Sequence, residues 1–270
     1  MSTPTSPTSA AMPDVQGSQD SRNVPIDKVG VKDIRYPIAL NCPSTGGKQH
    51  TVAMVNMYVA LPHHQKGTHM SRFLEVLNKH HQGIDSGDVM HVARDMKDRL
   101  EAEEAHLEMT FPYFIDKKAP VTGQPGKLDI AVTFEAVAGE SDDFILGIKV
   151  PATSLCPCSK KISDYGAHNQ RCEMEAQVRF APGKMMWIEE LFELVEQCAS
   201  TQVFAVLKRP DEKHVTEAAY DNPKFVEDIV RDLALALNDE DRVSWYRVAS
   251  ENFESIHNHN AYAVVERDKR

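Results

Sequence analysis

The chain has 270 residues, 41 % hydrophobic and 26 % charged, with a formal net charge of -10. That length and balance support one large or two ordinary globular domains and exclude a fibrous or wholly disordered chain. The acidic excess argues against nonspecific nucleic-acid binding, which needs many Lys and Arg contacts to phosphate.

No window approaches the ~20 apolar residues of a membrane helix, and the N-terminus lacks the basic and apolar regions of a signal peptide. The cysteines at 42, 156, 158, 172 and 198 are five in number. An odd count fits reduced thiols better than a disulfide framework, so a cytoplasmic location is expected.

Residues 1–24 are rich in Ser, Thr and Pro and have no apolar period, which predicts a disordered tail with folding from Pro25 onward. "RYPIAL" and "HTVAMVNMYVAL" read as strands of a hairpin across "NCPSTGGKQ", with Val55, Met57, Val59 and Leu61 on one face. "SRFLEVLNKHH" and "SGDVMHVARDMKDRLEAEE" have helical spacing, the second with Val89, Val92, Ala93, Met96 and Leu100 on one side. "AHLEMTFPYFI" and "KLDIAVTFEAVAG" return to strand alternation.

The second half repeats this order. Strands "DFILGIKVPATS" and "CEMEAQVRFAP" precede helices "MWIEELFELVEQCA" and "NPKFVEDIVRDLALAL", and strands "RVSWYRVASENF" and "NAYAVVER" follow. The expected fold class is therefore α+β: two tandem ββααββ modules, 25–140 and 141–270, with antiparallel sheets and helices on one face. Their open edges would be removed by assembly into a barrel-like homo-oligomer.

The stretch "SLCPCSKKISDYGAHNQRCEME" gathers the chemistry. Cys156 and His168 lie twelve positions apart with Cys158 between them. The paired spacing of a structural zinc site is absent, but a thiolate, an imidazole and one carboxylate would make a catalytic site with an open coordination position. The carboxylate must come from elsewhere. "LKRPDEKHV", read as a polar loop, offers Glu212, and spacing does not choose it over Asp211 or Glu217.

Glu227 borders the apolar face of Phe225, Val226, Ile229, Val230 and Leu233 in its helix. "SIHNHNAY" places His257 and His259 at i, i+2, on one side if the segment is a strand. They could bind phosphate or pass protons. Lys66, His69 and Arg72 cluster at a helix start, where backbone N–H groups favour anions. Lys160, Lys161 and Arg171 add cations around the cysteines.

"CPCSKKISDYGAHNQR", "FAVLKRPDEKHVTEAAYDNPKFVEDIVRDLA", "HNHNAYA" and "KGTHMSR" together resemble GTP cyclohydrolase IB, from about residue 25 to the end. The resemblance implies a tunnelling fold of two ββααββ modules, a homotetramer with active sites at subunit interfaces, and conversion of GTP and water to 7,8-dihydroneopterin triphosphate and formate. It implies one divalent metal, Zn, Mn or Fe, on Cys156, His168 and Glu212, and a guanine anchor at Glu227. His257 and His259 then lie at the active site, with Lys160, His69 and Arg72 as substrate contacts. Cys172 departs from the family motif, where Ser is expected.

Two rivals remain on the sequence: a nitrile reductase of the same superfamily with Cys156 as nucleophile, and a non-enzymatic metal or redox module. "GAHNQR" and "KRPDEK" beside the cysteine favour the cyclohydrolase.

Overall fold

The computed structural model describes residues 14–43, 46–80, 82–84 and 86–269. Strands β1 (Ile26–Cys42) and β2 (Gly47–Leu61) form the first antiparallel hairpin; residues 44 and 45 of its turn lie outside the described residues. Then come α1 (Met70–His80), β3 (Gln82–Ile84), α2 (Ser86–Leu100), β4 (Ala105–Lys118) and β5 (Pro125–Ala138). α2 stops at Leu100, short of the expected Glu104, where Glu101 takes a left-handed φ of 53° that ends the helical path.

The second half runs β6 (Asp143–Leu155), α3 (Pro157–Ile162), β7 (Asn169–Phe180), α4 (Ile188–Glu196), β8 (Thr201–Gln202), α5 (Arg209–Asp221), α6 (Val226–Asn238), β9 (Val243–Asn252) and β10 (Ala261–Asp268). All strands belong to one sheet of order β10-β9-β7-β6-β5-β4-β2-β1-β3, with β8 paired to β6. Each half supplies four of these strands in sequence order, and antiparallel pairing of β5 with β6 joins the halves.

Helices α2, α4 and α6 lie on strands β4–β5, β6–β7 and β9–β10, so the class is α+β, with antiparallel pairing except between β1 and the short β3, which run parallel. The inward positions expected from alternation, Val55, Met57 and Val59 in β2 and Val132, Phe134 and Ala136 in β5, are buried. So are Val89, Val92, Ala93 and Met96, the stripe of α2. Burial of these side chains supplies the main drive to fold.

Four elements go beyond the expected pattern. β3 and β8 have three and two residues, too short for a period to show. α3 is six residues opened by a proline. α5 buries only Asp211 and Ala219, so it carries no apolar stripe, and its start was read as a loop.

The N-terminal segment is also more ordered than its composition suggests. Asp20 N donates to His64 O at 2.9 Å, Lys66 N to Ser18 O at 3.0 Å and Gly67 N to Gln16 O at 3.1 Å. Residues 14–20 therefore lie along the loop before α1, and the expected disordered tail over 1–24 gives way to a docked segment from Asp14. Residues 1–13 lie outside the described residues.

Candidate active site

At the end of β6 the chain passes through Ser154 and Leu155 into Cys156, whose sulfur accepts from Ser159 N at 3.4 Å as the cap of α3. Cys156 N donates to His168 O at 3.1 Å, and His168 N donates to Ser159 Oγ at 3.2 Å. These two bonds clamp the Cys156 and His168 backbones together across the α3 turn. Both side chains are half-buried and Cys158 is exposed.

Behind His168 lies a buried polar layer. Its Nδ1 is 3.0 Å from Gln170 Oε1 and 3.2 Å from Ser255 Oγ. Gln170 Nε2 and Asn252 Nδ2 donate to Ser154 Oγ at 3.3 and 3.1 Å, and Ser154 Oγ donates to Lys224 O at 3.1 Å. Lys224 N returns to Leu155 O at 3.0 Å, which fixes the start of α6 beside the Cys156 segment.

Glu227 occupies the first turn of α6, exposed, and its side chain has no hydrogen bond or ion pair among the described residues. The apolar face is Val226, Ile229, Val230, Leu233 and Leu237. Phe225, expected in that face, precedes the helix as its cap and is 44 % exposed.

His257 and His259 are not on a strand. β9 ends at Asn252 and β10 begins at Ala261, so both sit in the connecting loop. Their rings still stack, with centroids 5.1 Å apart and planes at 20°. Ser255 Oγ beside His168 and the bond from Phe253 N to Arg171 O at 3.0 Å hold this loop next to His168.

Glu212 also differs from expectation: it lies in the first turn of α5, not in a loop. Spacing of four puts Glu212, Thr216 and Tyr220 on one stripe. Lys160 meets the far end of that stripe, bonded to Tyr220 O with its ammonium 4.2 Å from the ring centroid. Among the described residues no three His, Cys, Asp or Glu side chains stand close enough to share a metal. The fold thus brings the Cys156 and His168 backbones together and sets Glu212 in the first turn of α5, about two helical turns before the Tyr220 that Lys160 meets.

His69 and Arg72 are at the start of α1, in the first module. His69 Nε2 faces Asp14 Oδ1 at 3.2 Å, so the N-terminal segment engages one of the expected substrate contacts. Cys172 is 1 % exposed, and burial pushes its thiol up to about 12; Cys198 is likewise pushed up to about 11. Both stay neutral and unreactive. The thiol at 172, where the resemblance led to expect Ser, is packed inside the core.

Asp211, beside Glu212, is fully buried and anchors α5. It accepts from Val121 N and Thr122 N at 2.9 Å each, Thr122 Oγ1 at 2.7 Å and Lys208 N at 2.9 Å. Burial alone would raise its pKa, but the bonds from Thr122, Lys208 and Val121 outweigh that and hold it well below the usual carboxylate range. A depressed folded-state pKa stabilises the fold above the unfolded value and is lost as pH falls toward the folded one. Asp211→Asn should therefore melt below wild type at neutral pH, and the two melting curves should converge on the acid side. Parallel curves from neutral to acid pH would remove the ionised anchor.

Sequence reasoning missed Ser154, Gln170 and Asn252. A signal was present: each continues the inward phase of its strand, after Val150 and Ala152 in β6, before Cys172 and Met174 in β7, and after Tyr246, Val248 and Ser250 in β9.

A family model described as type I GTP cyclohydrolase folE2 matches residues 12–263. The GTP cyclohydrolase FolE2 of Nitrosomonas eutropha is 56 % identical over 259 residues, covering 95 % of this chain and 96 % of that protein. The FolE2 of Geobacter sulfurreducens is 55 % identical and covers 96 % and 99 %. A uricase from Bacillus fastidious shares the fold with a TM-score of 0.53 at 9 % identity, covering 93 % and 95 %.

Proposed function

We infer the function from one premise: the chain belongs to the FolE2 family of type I GTP cyclohydrolases. It is a GTP cyclohydrolase that converts GTP and water to 7,8-dihydroneopterin triphosphate and formate, the first step toward folate. The observation that carries this reading to named residues is the clamped Cys156–His168 pair, with the start of α6 and the histidine loop bonded to the same corner.

The donor chemistry of that pair fits a divalent cation. Cys156 offers a sulfur, and His168, engaged through Nδ1, has Nε2 free. Zn, Mn and Fe all suit such donors. Glu212 is proposed as the third ligand; its stripe on α5 leads to Tyr220, which Lys160 of α3 already contacts. When bound, the cation supplies Lewis acidity that activates water toward C8 of guanine.

The chain's own side chains orient the substrate and move protons. Glu227, free at the start of α6, accepts from guanine N1–H and the 2-amino group. His257 or His259 protonates N7, which makes C8 more electrophilic, and the histidine ring, left neutral, then accepts the proton that the added water must lose as the imidazole of guanine opens. Lys160, His69 and Arg72 offer cations to the triphosphate. For His69 this requires release from Asp14.

The sheet ends in edge strands β10 and β3, whose unpaired backbone groups favour pairing with further copies. A homotetramer with sites between subunits is proposed on that ground. No described helix is long and apolar enough to cross a membrane. GTP as substrate and free thiols suit the cytoplasm, and neither membrane nor nucleic acid is invoked as a partner.

Incubation with GTP alone, followed by oxidation, should yield a fluorescent pterin. A product that forms only from a nitrile with NADPH would replace this reading with the reductase.

Glu227→Gln should weaken GTP binding and relax the preference for guanine over adenine. The lost pairing is worth about 1–3 kcal/mol once the base covers the carboxylate, which is roughly 5- to 150-fold in affinity. Equilibrium binding of GTP and ATP to both proteins checks it. Unchanged affinity and base preference would remove the anchor role.

A further inference from the structure

We propose that Gln170 is a positioning residue that selects the His168 tautomer, with Ser154 fixing its orientation, so that Nε2 carries the free lone pair. The purpose of this selection rests on the reading of His168 as a ligand; the tautomer itself does not.

The polarity of the layer follows from its far end. Lys224 O is a backbone carbonyl and can only accept, so Ser154 directs its one hydroxyl proton there at 3.1 Å. Two lone pairs remain on Ser154 Oγ, and the amide groups of Gln170 and Asn252 donate to them at 3.3 and 3.1 Å. The hydroxyl is then fully used. A flipped Gln170 amide would point its oxygen at an oxygen with no proton to give.

Gln170 Oε1 therefore faces His168 Nδ1, 3.0 Å away. Only an N–H at Nδ1 makes that contact a hydrogen bond. A neutral imidazole protonated at Nδ1 has its lone pair at Nε2, the atom left for a cation. Ser255 Oγ, 3.2 Å from the same nitrogen, sits on an exposed loop. Were it to donate instead, the buried Gln170 oxygen would face a nitrogen lone pair and lose its partner.

Packing alone does not explain these residues. Gln170, Ser154 and Asn252 are 7 %, 0 % and 3 % exposed and occupy the inward phase of three adjacent strands. Buried polar groups cost stability unless paired, and Asn252 Oδ1 and the nearby strand residue Ser250 Oγ have no partner. Apolar side chains would fill the layer at lower cost. The polar set instead transmits a fixed donor direction from the start of α6 to the imidazole.

The test is solid-state 15N NMR of metal-free, histidine-labelled protein, read on the neutral-ring signals, with His168→Asn assigning the signal among the 12 histidines. Wild type should show His168 protonated at Nδ1. Gln170→Leu should give a mixture or the Nε2–H form, with Zn²⁺ affinity by chelator competition reduced ~10–100-fold. Gln170→Glu keeps an acceptor opposite Nδ1 and should retain both the tautomer and Zn²⁺ affinity within several-fold of wild type.

Ser154→Ala, a smaller change that serves if the leucine variant does not fold, should also give mixed tautomers. An Nε2–H form in wild type, or wild-type populations in both Gln170→Leu and Ser154→Ala, overturns the inference. Failure of the metal reading is seen separately, as undiminished Zn²⁺ binding by Cys156→Ala and His168→Asn.

Discussion

Cys156→Ala is expected to release no formate from GTP above background while melting within a few degrees of wild type. Its sulfur makes one weak hydrogen bond, to Ser159 N at 3.4 Å, and the side chain is only half-buried at the end of β6. Losing such a cap contact costs about 1 kcal/mol. The apolar layers between the sheet and α2, α4 and α6 are untouched. Activity falls because a donor of the cation site is gone. Chelation should reproduce the loss, and metal analysis should show reduced occupancy in the variant. Full activity in Cys156→Ala, or its unfolding at ambient temperature, would contradict this assignment.

The second large effect is expected at the stacked histidines. His257→Ala and His259→Ala should lower kcat for GTP ~10²–10⁴-fold, the range for loss of a proton-transferring group, with smaller changes in KM. The two rings lie together in the loop that Ser255 tethers beside His168, so neither change touches a proposed ligand and metal content should stay normal. Steady-state kinetics across neutral pH should show one limb of the rate profile missing. A rise confined to KM that fades with added salt would indicate a purely electrostatic role toward the triphosphate. Wild-type kcat and profile in both variants would make the pair structural.

The strands and long helices were legible because burial imposes a period. β2, β5 and α2 each show it without interruption, and their inward residues are the ones expected. α5 was not legible: it is held by a buried carboxylate, Asp211, at the 120–122 turn. A sequence of polar residues does not announce a contact made across 90 positions. The histidine pair misled for a different reason. Two residues apart predicts one face of a strand, and the loop achieves the same side-by-side placement by ring stacking.

At the site, the Cys156–His168 pairing was legible as a short-range motif closed by one small helix. The place of Glu212 on a helix was not, because α5 carries no apolar stripe to announce it. The layer of Ser154, Gln170 and Asn252 escaped because no spacing rule links positions that meet only when β6, β7 and β9 pair.

The most direct measurement is formate released per GTP consumed, by metal-free protein and by the same protein after adding back a divalent cation. One formate per GTP is predicted in the reconstituted sample, with background release in the metal-free one. Consumption of GTP without formate, or formate at an undiminished rate from protein verified to be metal-free, would contradict a metal-dependent cyclohydrolase centred on Cys156 and His168.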